Sequence, residues 1–121
     1  MKQTVILLAH GARDARWSLT LGALEAQVQS RLPQALVLRA FLEFQPPTLD
    51  ESLKIALATG RTQITLMPVF WASGGHVANH VTPRLEKFRR EHPAIELSVM
   101  PVVSELPGLL DLIANAVAQR V

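Results

Sequence analysis

No cysteine occurs in the 121 residues. That removes disulfides, thiolate metal sites and cysteine nucleophiles together. Any metal must therefore be held by histidine, carboxylate or backbone oxygen. Long hydrophobic runs are lacking too. After Lys2 the apolar run from Val5 to Ala9 is too short for a signal-peptide core or a membrane span, so a soluble, cytoplasmic protein with no membrane partner is expected. Nor does one sign of charge dominate. Twelve basic residues face ten acidic ones, for a formal charge of +2, and no basic run with interleaved aromatics stands out. Nucleic acid is not an expected partner, although the sequence pI is near 9.7. There is no G-x-x-x-x-G-K-[ST], so nucleotide-driven chemistry is not expected, and no G-x-G-x-x-G.

What is present is one domain's worth of chain, 49% apolar, enough for one well-packed core. The stretch Thr4-Val5-Ile6-Leu7-Leu8-Ala9-His10-Gly11-Ala12-Arg13-Asp14 sets the plan. An unbroken apolar run of strand length suits a strand buried on both faces of a parallel sheet. It stops at a histidine, a glycine and then charge. Ile64 to Trp71, followed by Ala72-Ser73-Gly74-Gly75-His76, repeats the design.

Between and beyond these, apolar runs alternate with helical periods. Ala15 to Arg31 is predicted as a helix with an inward stripe of Leu19, Ala23, Leu24, Val28 and Leu32, capped by Asp14 or Ser18 and stopped by Pro33. Ala35 to Glu43 is predicted as a strand. Thr48-Leu49-Asp50-Glu51 fits a capping box, with Leu49, Leu53, Ala56 and Leu57 inward and Gly60 just past the end. Thr62 to Pro68 is the third strand. The next helix is expected to start between His76 and Thr82, since Pro83 suits a first turn, and to run to about His92. Ile95 to Val103 reads as the fourth strand. A last helix after Ser104 and Pro107 would turn Leu109, Leu110, Ile113, Ala114 and Val117 inward.

Four β-α units without a linker predict an α/β three-layer sandwich: one flavodoxin-like domain over 1–121 with a four-stranded parallel sheet in the order 2-1-3-4. That order puts the switch point between the strands that end at His10 and His76, the place where ligands bind in such sheets. Glu43 ends the other neighbour of the first strand. Two imidazoles and a carboxylate would thus share one rim, a donor set suited to Co, Ni, Fe, Cu or Zn with coordination positions left open. Gly11, Gly74 and Gly75 would leave room or unusual backbone angles beside the histidines.

Each of these residues has an ordinary reading as well. A lone strand-end histidine is more often a plain hydrogen-bonding residue; two at matched strand ends beside glycine balance the ligand reading against the ordinary one. Glu43 could instead pair with Arg39. Arg13 and Arg16 sit at a helix start, where the dipole disfavours them, and an anionic ligand would account for that. Trp17, Phe70 and Trp71 are usually core residues; near the rim they could wall a planar ligand. His80 suits a first helical turn, and His92 suits a helix C-terminus. Arg84, Lys87, Arg89 and Arg90 suit a solvated helix face. A receiver domain would need an acidic pair after the first strand. A histidine phosphatase would need Arg where Ala9 stands.

Leu8-Ala9-His10-Gly11-Ala12-Arg13-Asp14, Ala40-Phe41-Leu42-Glu43-Phe44 with Pro47 after it, and Met67 through Val77 resemble the short, single-domain form of the sirohydrochlorin cobaltochelatase family, ATP-independent class II tetrapyrrole chelatases. The resemblance implies insertion of Co²⁺, or else Ni²⁺ or Fe²⁺, into a sirohydrochlorin-type tetrapyrrole by a homodimer. It implies that His10 and His76 bind the metal and that Glu43 acts with them. Arg13, Arg16, Phe70, Trp71, Gly74 and Gly75 would line the substrate site. The chain departs from the family pattern at Ala12, where serine is usual, at Asn79-His80, where an acidic residue is common, and at Ser104-Glu105-Leu106, where a glycine-containing turn is usual. The competing readings are a metal or tetrapyrrole carrier that catalyses nothing, and a phosphohydrolase using His10.

Overall fold

In the computed structural model, residues 3–11, 13–14, 16–72 and 74–121 are described, without the side chains of Trp17, His76, Val77 and Ala78 or the surroundings of Gly75. Four strands form one sheet: β1 (Gln3–Ala9), β2 (Leu36–Phe41), β3 (Gln63–Pro68) and β4 (Glu96–Val99), in the order β2-β1-β3-β4, all parallel. Each is followed by a helix: α1 (Arg16–Arg31), α2 (Leu49–Ala58), α3 (Gly75–Glu91) and α4 (Leu109–Arg120), with a 3-10 turn at Val103–Glu105 before the last. None of the described helices is long and apolar enough to cross a membrane.

Alternate residues of β1 feed two cores. Ile6 and Leu8 pack with Leu49, Leu53 and Ala56 of α2 and with Val81, Leu85 and Phe88 of α3. Val5 and Leu7 pack on the opposite face with Leu21 of α1, Val37, Phe41 and Met67. This two-sided burial is why β1 carries an unbroken apolar run.

The N-terminus of α2 is the capping box expected from its sequence. Thr48 Oγ1 accepts the Glu51 N–H at 3.1 Å, and the Glu51 carboxylate accepts the Thr48 N–H at 2.8 Å. That backbone bond holds the Glu51 carboxyl below its usual pKa. At the other end Gly60 takes φ +74°, closing the helix.

Four elements differ from expectation. Among the described side chains of α1 the buried one is Leu21, 6% exposed, while Leu19 is 71% exposed and Ala23, Leu24 and Leu32 also face out. Among the described side chains the inward face runs through Ser18, Leu21, Glu25 and Val28, a stripe with the same period as the expected one. The Glu25 carboxylate reaches in to Arg39 Nε at 3.3 Å, so Arg39 pairs with α1. Next, α3 starts at Gly75 and carries Pro83 in its interior. Proline removes the N–H that Asn79 would have received. Asn79 and Pro83 are both exposed, so water can take up the freed carbonyl.

β4 ends at Val99 rather than Val103. Pro101 has no N–H to donate, and pairing resumes where Val103 and Ser104 donate to the carbonyls of Phe70 and Trp71, at 2.8 and 2.9 Å. Finally, α4 buries none of its residues: Leu110, Leu112, Ile113 and Val117 lie exposed. The basic face of α3 is solvated at Arg84, Lys87 and Arg90, but Arg89 is half-buried and donates to the Leu97 carbonyl at 3.0 Å and to Glu86.

Candidate functional site

The β1–β2 ladder continues past both strands. Leu42 N–H donates to the Ala9 carbonyl at 3.0 Å, and Glu43 N–H donates to the His10 carbonyl at 2.9 Å. Glu43 and His10 are thereby tied together at the C-terminal rim of the sheet. The chain makes this approach possible with Gly11, whose φ is +90°. A Cβ there would overlap the Glu43 carbonyl oxygen and lie 3.1 Å from its carbon. Gly11 is thus required by the backbone, not by a bulky ligand.

His10 is exposed, and its ring rests on Phe70, centroids 4.6 Å apart and planes tilted by 55°. Phe70 itself is only 4% exposed and belongs to the core shared with α2 and α3. Its ring packs against the imidazole and, with Gly74, lines a cavity of about 430 Å³. Trp71, one residue on, is 57% exposed at the same rim. A cavity of about 380 Å³ lies away from this rim, between α2 and α3. Another of about 350 Å³ opens beside the rim, lined by Ala9, His10, Gly11, Leu21, Phe41, Gln45 and Val69, and it includes the expected metal ligand His10.

The arginines have distinct surroundings. Arg16 is bound by Asp14, whose carboxylate accepts the Arg16 backbone N–H at 2.9 Å and its Nε at 3.0 Å. This contact holds the Asp14 carboxyl below the usual carboxylate range. The same carboxylate serves as the cap expected at the start of α1. Arg13 instead lies over the ring of Phe44, its guanidinium carbon 5.0 Å from the centroid.

On the other side of β1, Gly74 is the N-cap of α3, with extended φ and nothing within 4 Å of where a Cβ would be. His76 follows in the first turn of α3. The backbone thus brings it to the rim beside β1, at the switch point; its side chain lies outside the described residues, as do Ala12, Ser73 and the surroundings of Gly75. Among the described residues no three His, Asp or Glu side chains gather to hold a metal ion. His10 and Glu43 are brought to one rim, while Asn79 and His80 lie on the exposed face of α3. An imidazole and a carboxylate carried to one rim are groups that can bind a transition-metal ion and accept protons. Sequence reasoning gave Phe44 no role beyond its place in the motif that carries the resemblance, and gave Gln45 none.

A sequence model of the family described as CbiX matches residues 4–120. Over 81 residues the chain is 38% identical to a sirohydrochlorin cobaltochelatase of Saccharolobus islandicus (strain L.S.2.15 / Lassen #1), an overlap of 67% of this chain and 61% of that protein. The chain therefore spans less than two thirds of that relative's length. Among solved structures, a protein designated a CbiX protein of cobalamin (vitamin B12) biosynthesis, from Marinobacter aquaeolei VT8, superposes with a TM-score of 0.80 at 30% identity. The match covers 98% of this chain and 96% of that one. The sirohydrochlorin chelatase SirB from Bacillus subtilis subspecies spizizenii, in complex with cobalt, gives a TM-score of 0.73 at 22% identity over 84% of this chain and 44% of its own. At that identity the likeness is one of fold.

Proposed function

The chain belongs to the CbiX family, and on that footing we propose that it inserts a divalent metal ion into sirohydrochlorin without ATP. The observation that carries the reading is the backbone bond from Glu43 to His10. It ties the backbones that carry an imidazole and a carboxylate to one rim of the sheet, beside an open cavity, and the sheet order sets the first turn of α3, which bears His76, on the other side of β1. The relatives named for sirohydrochlorin and cobalt support the substrates. The missing phosphate-binding loop supports ATP independence.

Metal insertion exchanges one dication for two pyrrole protons, so the ring's net charge is unchanged while two protons need acceptors. In this reading His10 and His76 hold the incoming ion and leave positions open for ring nitrogens. Glu43, on the same rim, accepts one of the two protons, a role worth about 10²–10⁴-fold, and solvent at the open rim takes the other. Phe70 keeps the His10 ring in place. Co²⁺, Fe²⁺ and Ni²⁺ are all suited to this donor set. A single copy presents one open rim to a large disc, and α4 leaves four large apolar residues uncovered. A homodimer, with the second copy as the facing wall, accounts for both.

The test mixes purified protein, metal-free sirohydrochlorin and each metal in turn, and follows the absorption change of insertion. Acceleration over the protein-free rate with at least one metal is expected. His10→Ala should bring it down to the protein-free rate while the protein still folds. Binding of metal or tetrapyrrole with no acceleration by any of the three metals would replace the enzyme with a carrier. Light scattering is expected to give twice the chain mass; a monomer that turns over at full rate would remove the dimer.

A further inference from the structure

Phe44 is the one non-glycine residue with positive φ among those described, at +68°. The Gln45 N–H donates to the Glu43 carbonyl at 2.8 Å, closing a three-residue γ-turn with Phe44 at its centre. This left-handed form of the turn is rare and strained, and a bulky aromatic residue there is an outlier. Strain of this kind persists where the surrounding structure enforces it, and it concentrates at ligand-binding sites. Core packing does not explain it here, because the Phe44 ring is 57% exposed.

What the turn does is place the ring. Phe44 follows Glu43 directly, and Glu43 is bonded to His10. Arg13, three residues past His10, lies over the ring. On the other side of β1, Trp71 stands 57% exposed. In the order β2-β1-β3 these two exposed aromatics flank the strand that delivers His10, two strand spacings or about 10 Å apart in the sheet direction.

We propose that Phe44 and Arg13 form a substrate-contact platform for the tetrapyrrole, Phe44 stacking on the macrocycle and Arg13 pairing with one of its peripheral carboxylates. This rests on the reading of the substrate as a carboxylated tetrapyrrole. The γ-turn holds the ring up into solvent at the rim, where a planar ligand above His10 would meet it. Arg13 is held against the ring before the ligand arrives, so little of its freedom remains to be lost on pairing. The turn's strain is then the consequence of presenting an aromatic ring where the backbone favours glycine.

The test is titration of metal-free sirohydrochlorin into the wild-type protein and into Phe44→Gly, Phe44→Leu and Arg13→Gln, with urea unfolding of each. Phe44→Gly removes the ring and relieves the left-handed strain. It is expected to leave stability equal to or above wild type while weakening tetrapyrrole binding about tenfold, as loss of one stacked aromatic does. Phe44→Leu keeps the side-chain bulk and the strain but not the π face, and should weaken binding to a similar degree at wild-type stability. Arg13→Gln should weaken sirohydrochlorin binding, and added salt should narrow its gap from wild type. Wild-type affinity in both Phe44 variants overturns the proposal, and so does a loss of stability in Phe44→Gly, which would make the ring a structural prop. A wild-type protein that binds no sirohydrochlorin overturns the function reading itself, and the platform with it.

Discussion

Replacing Gly11 with alanine would impose two separable penalties, and the structure holds a control for one of them. Gly11 and Gly60 both have positive φ, +90° and +74°. A Cβ at Gly60 would meet nothing within 4 Å, whereas at Gly11 it would overlap the Glu43 carbonyl oxygen and come within 3.4 Å of the Phe41 Cβ. Left-handed backbone costs an alanine about 1–2 kcal/mol. Alanine's smaller unfolded-state entropy offsets about 0.4–1 kcal/mol of that. Gly60→Ala should therefore cost about 1 kcal/mol. At Gly11 the overlap adds to this. Relieving it means parting the two strand ends and weakening the Glu43–His10 bond, a loss of about 0.5–1.5 kcal/mol, with overpacking strain of about 1–3 kcal/mol on top. Gly11→Ala should therefore cost about 3–4 kcal/mol. Urea unfolding of both variants, read as midpoint times slope, measures the difference. In thermal melts the gap corresponds to roughly 10 °C at this chain size. If the two variants lose stability within about 0.5 kcal/mol of each other, the close approach of the β1 and β2 ends is not what Gly11 serves.

Other expectations concern the helices. Leu21→Ala should cost about 2–4 kcal/mol by leaving a cavity under α1, and Leu19→Ala should stay within about 0.5 kcal/mol of wild type; the reverse order in denaturant unfolding would put the other face of α1 inward. Thr48→Ala should cost about 1 kcal/mol through loss of the cap. The Glu51 carboxyl is held below its usual pKa by the Thr48 N–H. A depressed folded-state pKa means stabilisation that is present above the unfolded value and lost as pH falls through the folded one. The stability gap between wild type and Glu51→Gln should accordingly be full near neutral pH and close on acidification below about pH 4. A gap that is constant from pH 7 to pH 2, or that widens in acid, would contradict the capping-box assignment.

The parts of this fold that are legible in one dimension are those set by local chemistry. The buried run of β1 announces a parallel sheet because both of its faces need apolar side chains. The Thr48–Glu51 box and Gly60 mark the two ends of α2 because caps answer to backbone groups only a few residues away. Position 43 reads as a rim residue because it ends an apolar run, and the bond to His10 then fixes its place. Less legible was α1, where two stripes of equal period compete and the one that holds Leu19 and Leu24 faces solvent. The start of α3 was misplaced because proline inside a helix is rare but not forbidden when the freed carbonyl is exposed. For α4 the apolar stripe is real, yet the chain offers it no core.

The order of residues alone thus determined the strand order, the ends of α2 and the rim to which His10 belongs, since periodicity, capping and crossover handedness act over short stretches of chain. Only the tertiary structure decided that Gly11 is demanded by the Glu43 carbonyl just past the neighbouring strand, that the buried Phe70 ring packs against His10, and that Phe44 stands in a strained turn beneath Arg13. Those are contacts between segments distant in the chain, and no local pattern encodes how closely two such segments will approach.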